Sequence, residues 1–277
     1  MNDNLYNSES EKIMYSQILR KAKFLNESVY VYSHVPRDFG LNMIERKWGD
    51  WTAVSEYEKH IAVKFILHTL SRVPAFPNFI KDLPNLKALE LPIDFVENVQ
   101  FCNIAPKLQA LTLYEACNMD FQYQWNEEIV LEKLLYLSVP ELLYSFKVPY
   151  HCFPNIEWID YDLQSDKKGQ ALDNLGQFKN LNHLSFSHAK NLDIFTPFKD
   201  KTIESLFIFA ATGKTFPIEK ICYLKSLKHL VINNIKVPFD CSLLRELPNL
   251  VELRLWNVST ILNREVLSEI CASIEIE

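Results

Sequence analysis

The residues that could hold a metal or act as a general base are seven histidines and six cysteines. The cysteines stand at positions 102, 117, 152, 222, 241 and 271 without a C-x-x-C pair, so their spacing fits neither a zinc site nor a disulfide framework. We expect buried, reduced thiols. His183 and His229 are the two histidines predicted to share one face of the fold, on strands roughly 10 Å apart, which is too far for joint ligation of one zinc ion.

Catalytic motifs are missing from the sequence. It contains no G-x-S-x-G, H-E-x-x-H or D-x-D-x-D-G pattern. Gly213-Lys214-Thr215 resembles the end of a phosphate-binding loop, but Ile208 stands where that loop needs its first glycine. We therefore predict that the protein is not an enzyme and uses no cofactor or metal.

The charge and the hydropathy of the sequence limit the classes of partner and the cellular compartment that we predict for the chain. The chain has 29 Lys and Arg against 35 Asp and Glu, a net charge of −6, which gives no electrostatic footprint for nucleic acid. Its start is polar and acidic, unlike a secretory signal, and no apolar run approaches the roughly 20 residues that span a bilayer. These features predict a cytoplasmic protein that binds neither nucleic acid nor a membrane.

A repeated frame supplies the elements that must position any site. Residues 83–91, LPNLKALEL, and residues 247–255, LPNLVELRL, share one pattern, and L-x-x-L-x-L recurs eight times in register between residues 86 and 255. Its middle anchors lie 22 to 26 residues apart, at Leu89, Leu111, Leu137, Ile159, Leu184, Leu206, Leu230 and Leu253. In L-x-L, two apolar side chains share one face of a strand, so each copy predicts one short strand.

This frame resembles the leucine-rich repeat family over about residues 60–277. The resemblance implies an α/β solenoid: a horseshoe with a parallel concave sheet, short helical or 3₁₀ outer segments, and a binding role. We predict a leucine-rich repeat domain over residues 57–277, with Ile274-x-Ile276 in a closing strand. Residues 60–66 are expected to form a degenerate strand anchored on Val63, and residues 1–56 an N-terminal cap that includes a helix near residues 9–24 and a strand at residues 29–32.

One family feature is missing. Members usually carry Asn three positions after the last strand leucine, where its side chain bonds the backbone of the bend. None of the eight copies has Asn there. Other partners must therefore serve those backbone groups.

Strand alternation places the residues between the leucines on the concave face. The candidate partner-binding residues are Tyr114, Tyr136, Trp158, Asp160, Asp162, His183, Phe207, Phe209, His229, Arg254 and Trp256. Trp, Tyr and Arg are the types enriched at interface hot spots, and we expect exposed aromatic side chains centred near Trp158 and Phe207. Their replacement by Ala should weaken binding without changing the thermal midpoint. Two alternatives are that the aromatic side chains pack side by side, or that the N-terminal segment covers them.

The function predicted from these features is a non-catalytic protein-binding module, such as an immunity or adaptor protein. Asp160 and Asp162 favour a protein partner with a basic or amphipathic patch. The alternative is a substrate-recognition subunit whose catalytic domain lies on another chain or in a missing segment. A small-ligand enzyme in the concavity has only the two histidines and nearby aspartates in its favour.

Overall fold

The computed structural model describes residues 29–33, 43–47, 64–68, 76, 78–114, 125–139, 150–164, 169–270 and 273–277. The chain divides into two compact units, Met1–Leu137 and Ser138–Glu277. Most of the predicted cap, including its helix near residues 9–24, lies outside the described residues.

The first unit contains a parallel sheet with strand order β5-β4-β3-β1-β2. Its strands are β1 (Val29–Ser33), β2 (Met43–Lys47), β3 (Lys64–His68), β4 (Ala88–Pro92) and β5 (Ala110–Tyr114). Between them lie the short helix α1 (Val99–Ile104) and 3₁₀ turns at Asn78–Asp82, Ile93–Phe95 and Ala105–Lys107. The Asn98 side chain begins α1 by accepting hydrogen bonds from the N–H groups of Gln100 and Phe101. A further strand, β6 (Tyr136–Val139), falls at the boundary between the units in the sequence.

The second unit contains a parallel sheet with order β14-β12-β10-β9-β8-β7. Its strands are β7 (Trp158–Asp162), β8 (His183–Ser187), β9 (Ser205–Phe209), β10 (His229–Asn233), β12 (Glu252–Trp256) and β14 (Ser273–Ile276), beside a small pair of β11 (Phe239–Asp240) and β13 (Ile261–Leu262). The helical segments are all short: α2 (Gln170–Leu175), α3 (Leu267–Ile270), and 3₁₀ turns at Tyr150–Cys152, Thr196–Phe198, Ile218–Tyr223, Cys241–Glu246 and Arg264–Val266.

The repeat anchors are aligned across each sheet. Leu89 pairs with Leu111 in the first unit, and Leu184 pairs with Leu206 in the second. All eight predicted strands are present, as β4 to β10 and β12, and all eight middle anchors, among them Leu111, Leu184 and Leu253, are buried. Parallel sheets with few, short helices are compatible with an α/β solenoid-like fold.

Three predictions near the ends have different outcomes. The closing strand around Ile274 is confirmed, because β14 pairs in parallel with β12. The Val63 anchor is wrong: Phe65 of β3, two residues later, pairs with Leu89. A shift of two residues keeps each side chain on its face, so alternation alone cannot determine this register. The strand predicted at residues 29–32 is confirmed as β1, which lies next to β3.

The bends after four strands of the second unit each have a left-handed residue in place of the asparagine-bonded turn. His188, Ala210, Asn234 and Asn257 have φ of 55°, 54°, 58° and 51° and directly follow β8, β9, β10 and β12. The N–H of each donates to a carbonyl at or just beyond the end of the next strand, as from His188 to Phe209 at 2.8 Å. Buried Ala189, Ala211 and Ile235 occupy the asparagine position. Backbone bonds between neighbouring strands thus replace the asparagine side chains.

The described cysteines are free thiols: Cys152 and Cys241 are buried, whereas Cys102 and Cys222 are partly exposed. Burial raises the pKa of the Cys241 thiol to about 11. Cys117 and Cys271 lie outside the described residues. Within those residues, no helix is long and apolar enough to cross a membrane.

Candidate functional site

The side chains on the sheet face opposite the leucines of the second unit form three rows, which follow from the strand register. The amino-end row is Trp158, His183, Ser205, His229 and Glu252. The middle row is Asp160, Ser185, Phe207, Val231 and Arg254. The carboxyl-end row is Asp162, Ser187, Phe209, Asn233 and Trp256. These fifteen residues are called the variable face, and they include nine of the eleven predicted site residues.

Trp158 and Phe207 form an aromatic stack inside the variable face. The Trp158 ring lies 4.8 Å from the His183 ring and 5.5 Å from the Phe207 ring, with interplanar angles of 28° and 23°. Trp158 is 0 % exposed and Phe207 2 %. The expectation that these two residues are exposed is therefore wrong. Small side chains at Ser185 and Ser205 on β8 and β9 leave room for the large rings to cover one another across the strands.

Two other predicted residues are also buried, and the side chain of a third lies outside the described residues. Tyr136 of β6 is buried, with 3 % exposure. Trp256 at the end of β12 is 9 % exposed. Tyr114 ends β5 in the first unit, and its side chain lies outside the described residues. The side chains of the variable face that retain partial exposure include Phe209, Asp162 and Arg254.

Asp160 is a partly buried carboxylate between two serines. Its Oδ2 accepts a hydrogen bond of 3.3 Å from Ser138 Oγ, and Ser185 also bonds to it. Desolvation raises the pKa of Asp160 to about 6, against the lowering effect of the two serines, and the charge of Asp162 adds to the rise. Asp160 can therefore change its charge near neutral pH.

Asp162 is held by the bend after its own strand and by the bend after β8. Its carboxylate accepts the Gln164 N–H at 2.9 Å and lies 2.9 Å from Nδ1 of His188. The side chain of His188 is 42 % exposed. Sequence reasoning missed His188 because it lies one residue beyond β8, where alternation no longer applies and the left-handed bend directs the side chain.

A charged network surrounds Glu252 on β12. Its carboxylate is 3.1 Å from Nδ1 of His229 and accepts Nε of Arg254 at 2.8 Å. Arg254 also lies 3.4 Å from Glu275 of β14, and Glu275 accepts the Trp256 indole N–H at 3.3 Å. The Arg254 guanidinium is 5.8 Å from the centroid of the Trp256 ring. The network fixes the orientation of the Arg254 and Trp256 side chains. Glu275 was not among the predicted site residues, although alternation in the predicted closing strand Ile274-x-Ile276 places it on this face.

Among the described residues, no group of three or more His, Cys, Asp or Glu side chains could hold a metal ion. His183 and His229 lie on β8 and β10, with Ser205 of β9 between them in the amino-end row. Ser205 is completely buried, so a substrate cannot reach its hydroxyl in this conformation.

Comparison with known proteins does not assign a function, so the proposal below is based on the geometry of the site. No protein-family model matches the sequence, and no curated protein matches it.

Proposed function

We propose that this chain is a leucine-rich repeat solenoid that holds another protein on the variable face, which would form its concave surface, and that it acts without catalysis. The eight in-register copies, the parallel pairing and the short helical segments support the repeat architecture. The free thiols at the four described cysteines favour a reducing compartment such as the cytoplasm. An immunity or adaptor role would use the same surface.

The observation that carries this proposal is the preorganisation of large polar and aromatic side chains on a sheet. Arg254 is only 18 % exposed, and two carboxylates hold it in place. Trp256 is oriented by its bond to Glu275. Ordering such side chains before binding lowers the entropic cost of forming an interface. Arg and Trp are also frequent hot-spot residues.

Because some of the predicted partner-binding residues are buried, fewer of them can contact a partner protein than alternation alone indicates. The rings of Trp158 and Phe207 are covered, so these residues stabilise the variable face by packing and do not contact the partner. Phe209 and Arg254, which retain partial exposure, then form the predicted contact area, displaced toward β12 from the centre expected from alternation alone. Trp256, which is 9 % exposed, borders this area. Asp160 and Asp162 lie at the β7 side of this area.

The proposal is tested by retention of proteins from an extract of the native host on the immobilised full chain. Phe209→Ala and Arg254→Ala are compared with Tyr223→Ala, a control whose exposed aromatic side chain lies in the 3₁₀ turn Ile218–Tyr223. We expect one retained protein to be reduced at least tenfold by both face variants and unchanged by the control, with circular dichroism showing that each variant is folded at the assay temperature. Equal retention by all variants would exclude the variable face as the interface.

A further inference from the structure

The variable face and the strand β14 beside it carry an unbalanced charge. Their register rows contain four carboxylates, on Asp160, Asp162, Glu252 and Glu275, and one guanidinium, on Arg254, without a lysine. With neutral histidines and ionised carboxylates, this sum is 1 − 4 = −3. Complementary charge favours a cationic partner.

The negative charge is compensated at only one side of this surface. Arg254 contacts Glu252 at 2.8 Å and Glu275 at 3.4 Å, so the β12 side is balanced within the chain. At the β7 side, the described residues place no lysine or arginine in an ion pair with Asp160 or Asp162. Instead, Asp162 contacts His188 at 2.9 Å. A cation from a partner would therefore be drawn to Asp162.

The burial of the middle row restricts where on the variable face a partner can lie. In the middle row, Ser185, Phe207 and Val231 are buried, with exposures of 2 %, 2 % and 3 %. Phe209, in the carboxyl-end row, is partly exposed. A partner chain can thus contact the carboxyl-end row but cannot insert a side chain into the middle of the face.

Asn233 of the carboxyl-end row and Asn257, the residue directly after β12, present groups suited to a peptide backbone. Asn257 Nδ2 donates to Asn233 Oδ1 at 3.3 Å, which orients both carboxamides. This bond leaves the N–H groups of the Asn233 amide and the oxygen of the Asn257 amide for a ligand. At about 4.8 Å per strand, the row from Asp162 to Trp256 is roughly 19 Å long, about the length of six extended residues.

We propose that the carboxyl-end row binds an extended segment of a partner protein, with a Lys or Arg side chain at Asp162 and an apolar side chain on Phe209. The segment's backbone lies over Asn233 and Asn257. This inference rests on the proposed function and specifies its partner. Because Asp162 and Phe209 are two strands apart in the row, the apolar residue follows or precedes the basic one by two to four positions.

The probe is a phage-displayed library of random heptapeptides selected on the immobilised full chain, with the Asp162→Asn and Phe209→Ala double variant used to remove unrelated binders. We expect enriched peptides to combine Lys or Arg with an apolar residue at that spacing. The synthetic form of an enriched peptide should bind Asp162→Asn at least tenfold more weakly. Glu246→Gln, the matched control, removes one carboxylate that is 65 % exposed in the 3₁₀ turn Cys241–Glu246 and should leave binding unchanged.

Two results would overturn the inference. One is enrichment of peptides without a basic residue; the other is an equal loss of affinity in Asp162→Asn and Glu246→Gln. If the extract experiment still retains a protein that depends on Phe209 and Arg254, the proposed function stands while this inference fails. If that retention is also independent of Phe209 and Arg254, both fail.

Discussion

At the scale of the residue, Asp160 makes the stability of the folded chain depend on pH. Its pKa rises to about 6 in the folded chain, mainly through desolvation, whereas an aspartate in the unfolded chain keeps its ordinary value near 4. The folded state therefore binds this proton more tightly. The resulting stabilisation is present below the unfolded pKa and is lost as pH rises through about 6.

Asp160→Asn should consequently be more stable than the wild type at pH 7.5, by about 1 to 3 kcal/mol, with the lower part of this range expected for a partly exposed group. At pH 4.5 most of the difference should disappear. Urea denaturation at both pH values measures this effect, with the exposed Glu246→Gln as the control. The same pH dependence in Asp160→Asn and the wild type would show that Asp160 does not carry the shift.

Trp158 is a second residue whose role depends on its surroundings. Because its ring is fully buried in the stack with His183 and Phe207, Trp158→Ala should lower the free energy of unfolding by about 3 to 5 kcal/mol. This replaces the expectation of an unchanged thermal midpoint. Tyr150→Ala, at a residue that is 45 % exposed, should cost less than about 1 kcal/mol. Chemical denaturation compares the two, and equal losses would contradict the buried stack.

At the scale of the element, the bends after β8, β9, β10 and β12 share one backbone conformation. Four consecutive bends of the second unit place a non-glycine residue at positive φ, where the Cβ atom is strained. The backbone bonds to the next strand hold them there. Ala210, unlike the asparagines, has no polar side chain to favour this conformation.

Ala210→Gly should therefore raise the free energy of unfolding by about 0.5 to 1 kcal/mol, since relief of strain at φ 54° exceeds the entropic cost of glycine. The adjacent Ala211→Gly is a close control: Ala211 is buried and has no positive φ, so the variant should be destabilised. Guanidinium denaturation distinguishes them. Destabilisation of both variants would mean that Ala210 carries no strain in this bend.

At the scale of the whole molecule, the net charge of −6 acts on any approaching cationic partner. The field of the chain should accelerate association, and dissolved salt screens that field. Raising NaCl from 0.05 to 0.5 M should lower the association rate of the retained partner by about tenfold or more, with little change in its dissociation rate. Stopped-flow or surface-based kinetics give both rates. A salt effect confined to dissociation would argue against electrostatic steering.

Much of the fold and the location of the candidate face could be predicted from the sequence. Leu184 and its equivalents recur in one frame, and an L-x-L pair has a single way to bury both side chains in a strand. This physical constraint determined the strands, the buried anchors, the closing strand at Ser273–Ile276 and the membership of the three rows.

The exposure and the contacts of the site depended on which strands became neighbours. Trp158 is buried because Phe207 lies two strands away over small side chains, and Arg254 is held because β14 brings Glu275 beside it. The shift of β3 to Phe65 likewise comes from pairing with β4. Alternation assigns a side chain to a face, but its partners on that face come from residues some 20 or more positions away, and only the tertiary structure brings them into contact.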